Sequence, residues 1–305
     1  MVFLDKWVCL YVILFAVSVF LAGITLAQEE RQPSSPPSAS DILTKMKQEL
    51  NLNDEWENQQ QPKEWDVTLG IAALVSPNYE GSAHYSFFSF PMVNISWRDL
   101  FSLDSRGINL NLLYESNYKA GVGLTYDIGR KENGSTPFNK HNDDPKKNRD
   151  DGRLSGLGNI NPAAGICAFA SYNLKSIAIR GSITQYLGSQ NDGLLATAAL
   201  SKPYKITEEL TVSSEIKTTW ANRKYMEIYY GVSSEQASRS QFSYYEAGAG
   251  FKDIGIGVNA SYNFDYSWVL FVNAGVKYLT GDAADSPISE VNTNGIFGAG
   301  IGYHF

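Results

Sequence analysis

From residue 65 onward, apolar and polar side chains alternate with a period of two, the spacing of a strand with one greasy face. Trp65, Val67, Leu69, Ile71, Ala73 and Val75 stand opposite Asp66, Thr68 and Gly70. Tyr85, Phe87, Val93, Ile95 and Trp97 oppose Ser86, Asn94 and Ser96, and Tyr118, Ala120, Val122, Leu124, Tyr126 and Ile128 oppose Lys119, Gly121, Gly123, Thr125 and Asp127. Similar rows run from Leu210 to Trp220, from Ile254 to Phe264 and from Trp268 to Tyr278. Weaker candidates cover residues 101–114, 162–172, 177–187, 194–203 and 244–251. In the last stretch, Phe297, Ala299, Ile301, Tyr303 and Phe305 share a face opposite Gly298, Gly300, Gly302 and His304. The final aromatic falls on the apolar face, as in the closing strand of a bacterial outer-membrane barrel.

Trp, Tyr or Phe sits near the ends of these rows and small aliphatics sit in the middle. A soluble core would place its bulkiest groups centrally, whereas a lipid-facing band is girdled by aromatics at its two interfaces. The pattern therefore predicts an all-β fold: a closed antiparallel transmembrane β-barrel of about twelve strands, an even number as single-chain bacterial barrels require. Closure follows from solvation, because hydrocarbon holds no water to satisfy an open sheet edge. At this strand number the lumen is wider than one row of side chains, so it either holds water or is plugged by an inserted loop. One expectation conflicts with ordinary barrels. Counted this way, the two longest inserts, residues 130–159 and 221–241, fall on the periplasmic side, where turns are normally short. Either the count is off by one near residues 101–114, where Asp104-Ser-Arg-Gly107 could turn a hairpin, or the inserts are periplasmic.

The amino-terminal part has other periods. Lys6 precedes an apolar run from Trp7 to Leu26, and Thr25-Leu26-Ala27 offers the small residues that a signal peptidase reads, so residues 1–27 are expected to be a signal peptide cleaved after Ala27. An uncleaved membrane anchor is the alternative, since the run approaches spanning length. Residues 28–64 contain Pro33, Pro36, Pro37 and Pro62, with Ile42, Leu43, Met46, Leu50 and Leu52 at helical spacing between them. They read as a flexible periplasmic extension carrying a short amphipathic helix with Ser40 as N-cap, serving as a spacer or a docking helix. Residues 65–305 form the barrel.

Composition supports this picture. The 305 residues include 18 Tyr, 15 Phe, 6 Trp and 26 Gly. The mean hydropathy of -0.23 is too low for a helical membrane protein and suits a barrel, which needs apolar residues only at alternate positions. A net charge of -7, without a basic run, argues against a nucleic-acid partner. Cys9 lies in the signal, so Cys167 would remain without an internal disulfide partner and reads as a buried small residue.

No catalytic, cofactor-binding or metal-ligating set emerges. His84, His141 and His304 are scattered, with neither an HExxH pattern nor a His pair on one face, and no Ser or Asp stands at a triad-like spacing from them. The charged stretch Asn142-Asp-Asp-Pro-Lys-Lys-Asn-Arg-Asp-Asp151 invites a calcium or lipopolysaccharide hypothesis but lacks EF-hand spacing, and a self-neutralised loop explains it better. Lys119, Asp127, Arg180, Glu215 and Lys217 fall on the lumen side of their rows and would suit a passive channel for small solutes. A surface enzyme would need a reactive Ser.

Several stretches resemble the MipA/OmpV family of outer-membrane proteins. Ser76-Pro-Asn-Tyr-Glu-Gly-Ser82 resembles that family's opening motif, Arg153-Leu-Ser-Gly-Leu-Gly158-Asn-Ile160 its central segment, and Tyr229-Tyr-Gly-Val-Ser-Ser-Glu-Gln-Ala-Ser-Arg-Ser240 the segment before the late strands. Asp282-Ala-Ala-Asp-Ser-Pro-Ile288 and the Tyr-His-Phe end complete the set. The resemblance covers residues 65–305; the extension at 28–64 and the charged insert at 131–151 lie outside it. It implies a non-enzymatic outer-membrane barrel without cofactor, in contact with lipid and lipopolysaccharide. It further implies a scaffold that brings a murein lytic transglycosylase to a penicillin-binding protein, with porin-like channels and surface adhesins as other roles in the family.

Overall fold

The computed structural model describes residues 65–132, 152–188 and 192–305. Strands in chain order are β1 (Trp65–Pro77), β2 (Tyr85–Trp97), β3 (Phe101–Asp104), β4 (Gly107–Tyr114), β5 (Tyr118–Asp127), β6 (Ala163–Leu174), β7 (Ile177–Tyr186), β8 (Leu194–Lys205), β9 (Leu210–Ala221), β10 (Gly250–Asn263), β11 (Trp268–Leu279) and β12 (Thr293–His304). Each pairs antiparallel with its neighbours in sequence, and β12 closes on β1 from Thr68 opposite His304 to Val75 opposite Phe297. The expected closed barrel of twelve strands is what forms. The signal peptide, the helix at residues 42–52, His141 and the stretch from Asn142 to Asp151 lie outside the described residues.

Strand number agrees, but two boundaries differ in compensating ways. Residues 101–114 are two strands, β3 and β4, turned at Asp104–Gly107, where Arg106 N–H donates to the Asp104 carboxylate at 2.7 Å. Residues 244–251 make no strand of their own, because β10 starts at Gly250 and runs through to Asn263. The alternation changes phase inside β10. Between Phe251 and Asp253 the register against β9 shifts by one residue. This bulge turns Lys252 and Asp253 both inward, while Phe251 and Ile254 on either side stay exposed. A phase break of this kind looks like a strand end when only periodicity is read.

The extra hairpin also removes the conflict over the long inserts. Trp65 and Phe305 share one end of the barrel with the short connections 98–100, 115–117, 175–176, 206–209 and 264–267. The opposite end carries connections 78–84, 128–162, 187–193, 222–249 and 280–292, and the β3–β4 turn at 105–106 points the same way from lower in the wall. The described parts of both long inserts therefore lie at the end opposite Trp65 and Phe305. With the termini periplasmic, as outer-membrane barrels have them, the inserts face outward.

The outer wall is apolar. Ile71, Leu124, Ile183, Ile216 and Ile256 project from the middles of their strands and are more than half exposed, Ile71 at 68%. At the terminal end, Trp65 lies 6.1 Å from Trp97, and Tyr303 packs edge-on against both Trp268 and Phe305 at 5.1 and 4.9 Å. In water this belt would be a large aggregation-prone patch, whereas in a bilayer it is the contact surface.

Candidate functional site

The loop end is folded into a cap. After β9, Asn222 accepts from Tyr225 N–H at 2.9 Å and starts helix α1 (Arg223–Tyr230); Ser233 and Gln236 form a capping box on α2 (Ser234–Arg239). A short α3 (Gly281–Ala284) follows β11. Met226, Tyr230, Ala221, Ala247, Leu279 and Ala283 make one buried cluster, and Tyr79, Leu154, Leu157, Val232, Phe242 and Ile288 make a second. These residues come from the loops after β1, β5, β9 and β11 and from adjoining strand ends, so the cap draws on most of the circumference. Polar bonds tie the loops together: Arg153 donates to Pro287 O at 3.2 Å, Gln236 to Leu157 O at 2.6 Å, and Asn294 to Ser82 O at 2.9 Å.

Helix α1 crosses the mouth. Tyr229 Oη donates to Asp127 at the end of β5 at 2.6 Å, and Tyr230 Oη donates to Glu80 in the β1–β2 loop at 2.6 Å. Beneath it lies an ionic cluster. Lys252 Nζ is 2.7 Å from both Glu80 and Asp253, and Lys277 pairs with Glu80 and stands 3.5 Å from Asp253. The Lys252 and Asp253 side chains are only 4% and 1% exposed, and each gives the other an ionic partner where an unpaired charge would be costly. Burial alone would raise the Glu80 carboxyl, but the two lysine ammonium groups outweigh it and hold the group well below the usual range. The phenols of Tyr225, Tyr229 and Tyr230 are pushed up, first by burial and then by nearby carboxylates.

Under the cap the lumen is polar and open-walled. Arg180 on β7 reaches across to Glu215 on β9 at 3.2 Å, so two of the five lumen charges expected from the sequence meet; a third, Asp127, binds the cap. The β3–β4 turn dips inward, and Asp104, Ser105 and Arg106 line a cavity of about 500 Å³ with residues of β1, β2 and β9–β12. A second cavity, of about 680 Å³, opens at the terminal end and is lined by Asp66, Glu208, Glu209, Asp265 and His304. His304 faces the lumen as its row predicts. Its Nδ1 lies 3.4 Å from Asp66 and 3.4 Å from Thr68 Oγ1. Both partners address the same nitrogen. His84 sits at the end of the β1–β2 loop, its backbone N–H bonded to Ser82. Among the described residues, no three His, Cys, Asp or Glu side chains gather as a metal site. Cys167 is partly exposed rather than buried, because the barrel has a lumen where a soluble fold would have a core.

Sequence reasoning passed over the ionic cluster, whose four members come from Glu80, the β10 bulge and β11. The one local signal was the broken phase at Lys252-Asp253.

An apolar girdle, a polar lumen and a folded cap define a transmembrane barrel of the outer-membrane class. Residues 69–305 match the family described as MltA-interacting protein MipA. The chain belongs to this family. Two relatives named MltA-interacting protein, from Escherichia coli (strain K12) and Shigella flexneri, are each 31% identical to it over 96 residues, 32% of this chain and 38% of theirs. The chain thus matches well under half the length of these curated relatives. Solved barrels similar to it include the NanC porin (TM-score 0.37, 10% identity, 78% of this chain and 98% of that one) and an outer membrane channel from Pseudomonas putida F1 (0.38, 9%, 83% and 99%). Scores this low carry nothing about function.

Proposed function

We propose that the protein is a non-enzymatic outer-membrane platform for peptidoglycan-remodelling enzymes, a murein lytic transglycosylase and a penicillin-binding protein. In this reading it is exported by a signal peptide cleaved after Ala27. Its wall contacts lipid and lipopolysaccharide, and residues 28–64 with their short helix supply the periplasmic contact. The observation that carries the reading is the cap: four loops and an ion cluster that tie down the outer mouth suit a barrel that anchors rather than one that conducts. The name of the curated relatives agrees with a transglycosylase partner. Pull-down from envelope extracts tests it. Full-length protein should recover murein enzymes, and protein lacking residues 28–64 should recover far less; equal recovery removes the extension from the contact, and no recovery by either removes the platform.

A second reading, a solute channel, is favoured by the charged lumen with Arg180 and Glu215. Planar-bilayer recording separates the two. The capped protein should be silent at neutral pH, and steady conductance would favour the channel.

A further inference from the structure

We propose that the barrel wall has a lateral port between β2 and β5 through which a phospholipid acyl chain enters the lumen. β2 is paired along its whole length with β1, but on its other side, among the described residues, only Ile95, Ser96 and Trp97 are paired, with β3. Among the described residues, 85–94 therefore have no strand partner on that side, because the β3–β4 hairpin stops at Asp104–Gly107, far below the top of β2. On the far flank, β4 reaches only Thr125 of β5. An edge facing lipid is otherwise avoided, since each backbone group without a partner in hydrocarbon costs several kcal/mol. Pro91, which has no N–H to leave unpaired, lies within the edge, as prolines in sheets do.

Behind the notch, apolar side chains gather on one side of a cavity that Asn94, Ser213, Asn259 and Asn273 also line. Phe90 and Met92 of β2, Leu74 of β1 and Phe271 of β11 line the 500 Å³ cavity. Its size lies within the range of about 300–1,000 Å³ usual for small-molecule sites. The floor between β1 and β11 is β12, whose Gly298 and Gly300 also line the cavity and leave it deep. Polar groups stand where the port meets the lumen: Asp104 and Arg106, paired at 2.6 Å, and Ser105, whose carbonyl accepts from Tyr126 Oη at 3.1 Å. A pocket with one apolar side that opens sideways onto membrane, and with polar groups facing that side, matches one amphiphile: a tail that leaves the bilayer laterally and a head group that stays by the edge. A water-soluble solute would have to cross a rim flanked by Phe87, 64% exposed on the lipid side.

Photo-crosslinking tests the port. Full-length protein carrying p-benzoylphenylalanine in place of Phe90, Met92, Ile71 or Arg180, one at a time, is reconstituted in phosphatidylethanolamine and phosphatidylglycerol vesicles, irradiated and weighed intact. Ile71 on the outer face should form phospholipid adducts, and so should Phe90 and Met92, although their side chains point into the lumen; Arg180 should form none. Phe90 and Met92 report separately, so failure of one variant to assemble leaves the other to decide. Adducts at Ile71 alone overturn the port, and adducts at all four positions overturn it as well, because lipid would then flood the lumen without selection.

Discussion

At the scale of single residues, the chemistry gathers in the cluster of Glu80, Lys252, Asp253 and Lys277. Removing one member of a buried ion pair typically costs about 3–5 kcal/mol, because the remaining charge is left uncompensated. Lys252→Met should approach the lower end of that range, since Lys277 still stands 3.5 Å from Asp253. The check is the thermal transition of the cap, followed by limited proteolysis of connection 222–249. Proton linkage gives a second outcome. Glu80 has a lower pKa folded than unfolded, so its contribution is complete above about pH 4.3 and is lost as pH falls through the folded value. Acidification from pH 7 to pH 3 should therefore loosen the cap and produce conductance bursts. Glu80→Gln should flatten that response, and an unchanged acid response in this variant would remove Glu80 from the account. The buried tyrosines act with the opposite sign. Their raised pKa values stabilise the cap fully below about pH 10, and that contribution is lost as pH climbs further.

At the scale of elements, alternation decides which face meets lipid. Ile71→Arg puts a cation on the outer wall and should cost about 2–4 kcal/mol near the bilayer midplane, whereas Ala72→Arg, one residue on and lining the lumen, should cost far less. Urea titration of the two refolded variants in vesicles reads the difference. Helix α1 depends on its N-cap: Asn222 accepts both from Tyr225 N–H and from Leu194 N–H, so Asn222→Ala should destabilise the cap by about 1–2 kcal/mol, seen as faster cleavage near residue 223. Most strands were legible from period two alone, because their side chains answer to one local rule. The rule failed where the chain departs from it. The bulge at Lys252 breaks the phase and mimics a strand end, and residues 101–114 hide a hairpin because β3 is too short to show an alternation of its own. Phe88, Phe90 and Met92 add apolar residues to the inner face of β2, so alternation marks its two faces only near its ends, at residues 85–87 and 93–97.

At the scale of the whole molecule, the barrel joins a lipid-facing wall to a mouth over which loops pack together. Deleting residues 223–241 removes α1 and α2, the part that crosses the mouth. That variant should conduct steadily in planar bilayers while the intact protein stays silent, and silence in both would place the barrier deeper, at the Arg180–Glu215 level of the lumen. What the sequence by itself determined was the wall: an all-β closed barrel of twelve strands with an aromatic girdle and a lumen-facing His304, together with its family kinship. Those features follow from residues near one another in the chain or from motifs kept in order. Only the tertiary structure decided at which end the described parts of the long inserts lie, how the loops pack together, and that Glu80 meets two lysines from distant strands. Each of these depends on pairs of residues brought together across the ring, some separated by 150 to 200 positions, and no local periodicity encodes such a meeting.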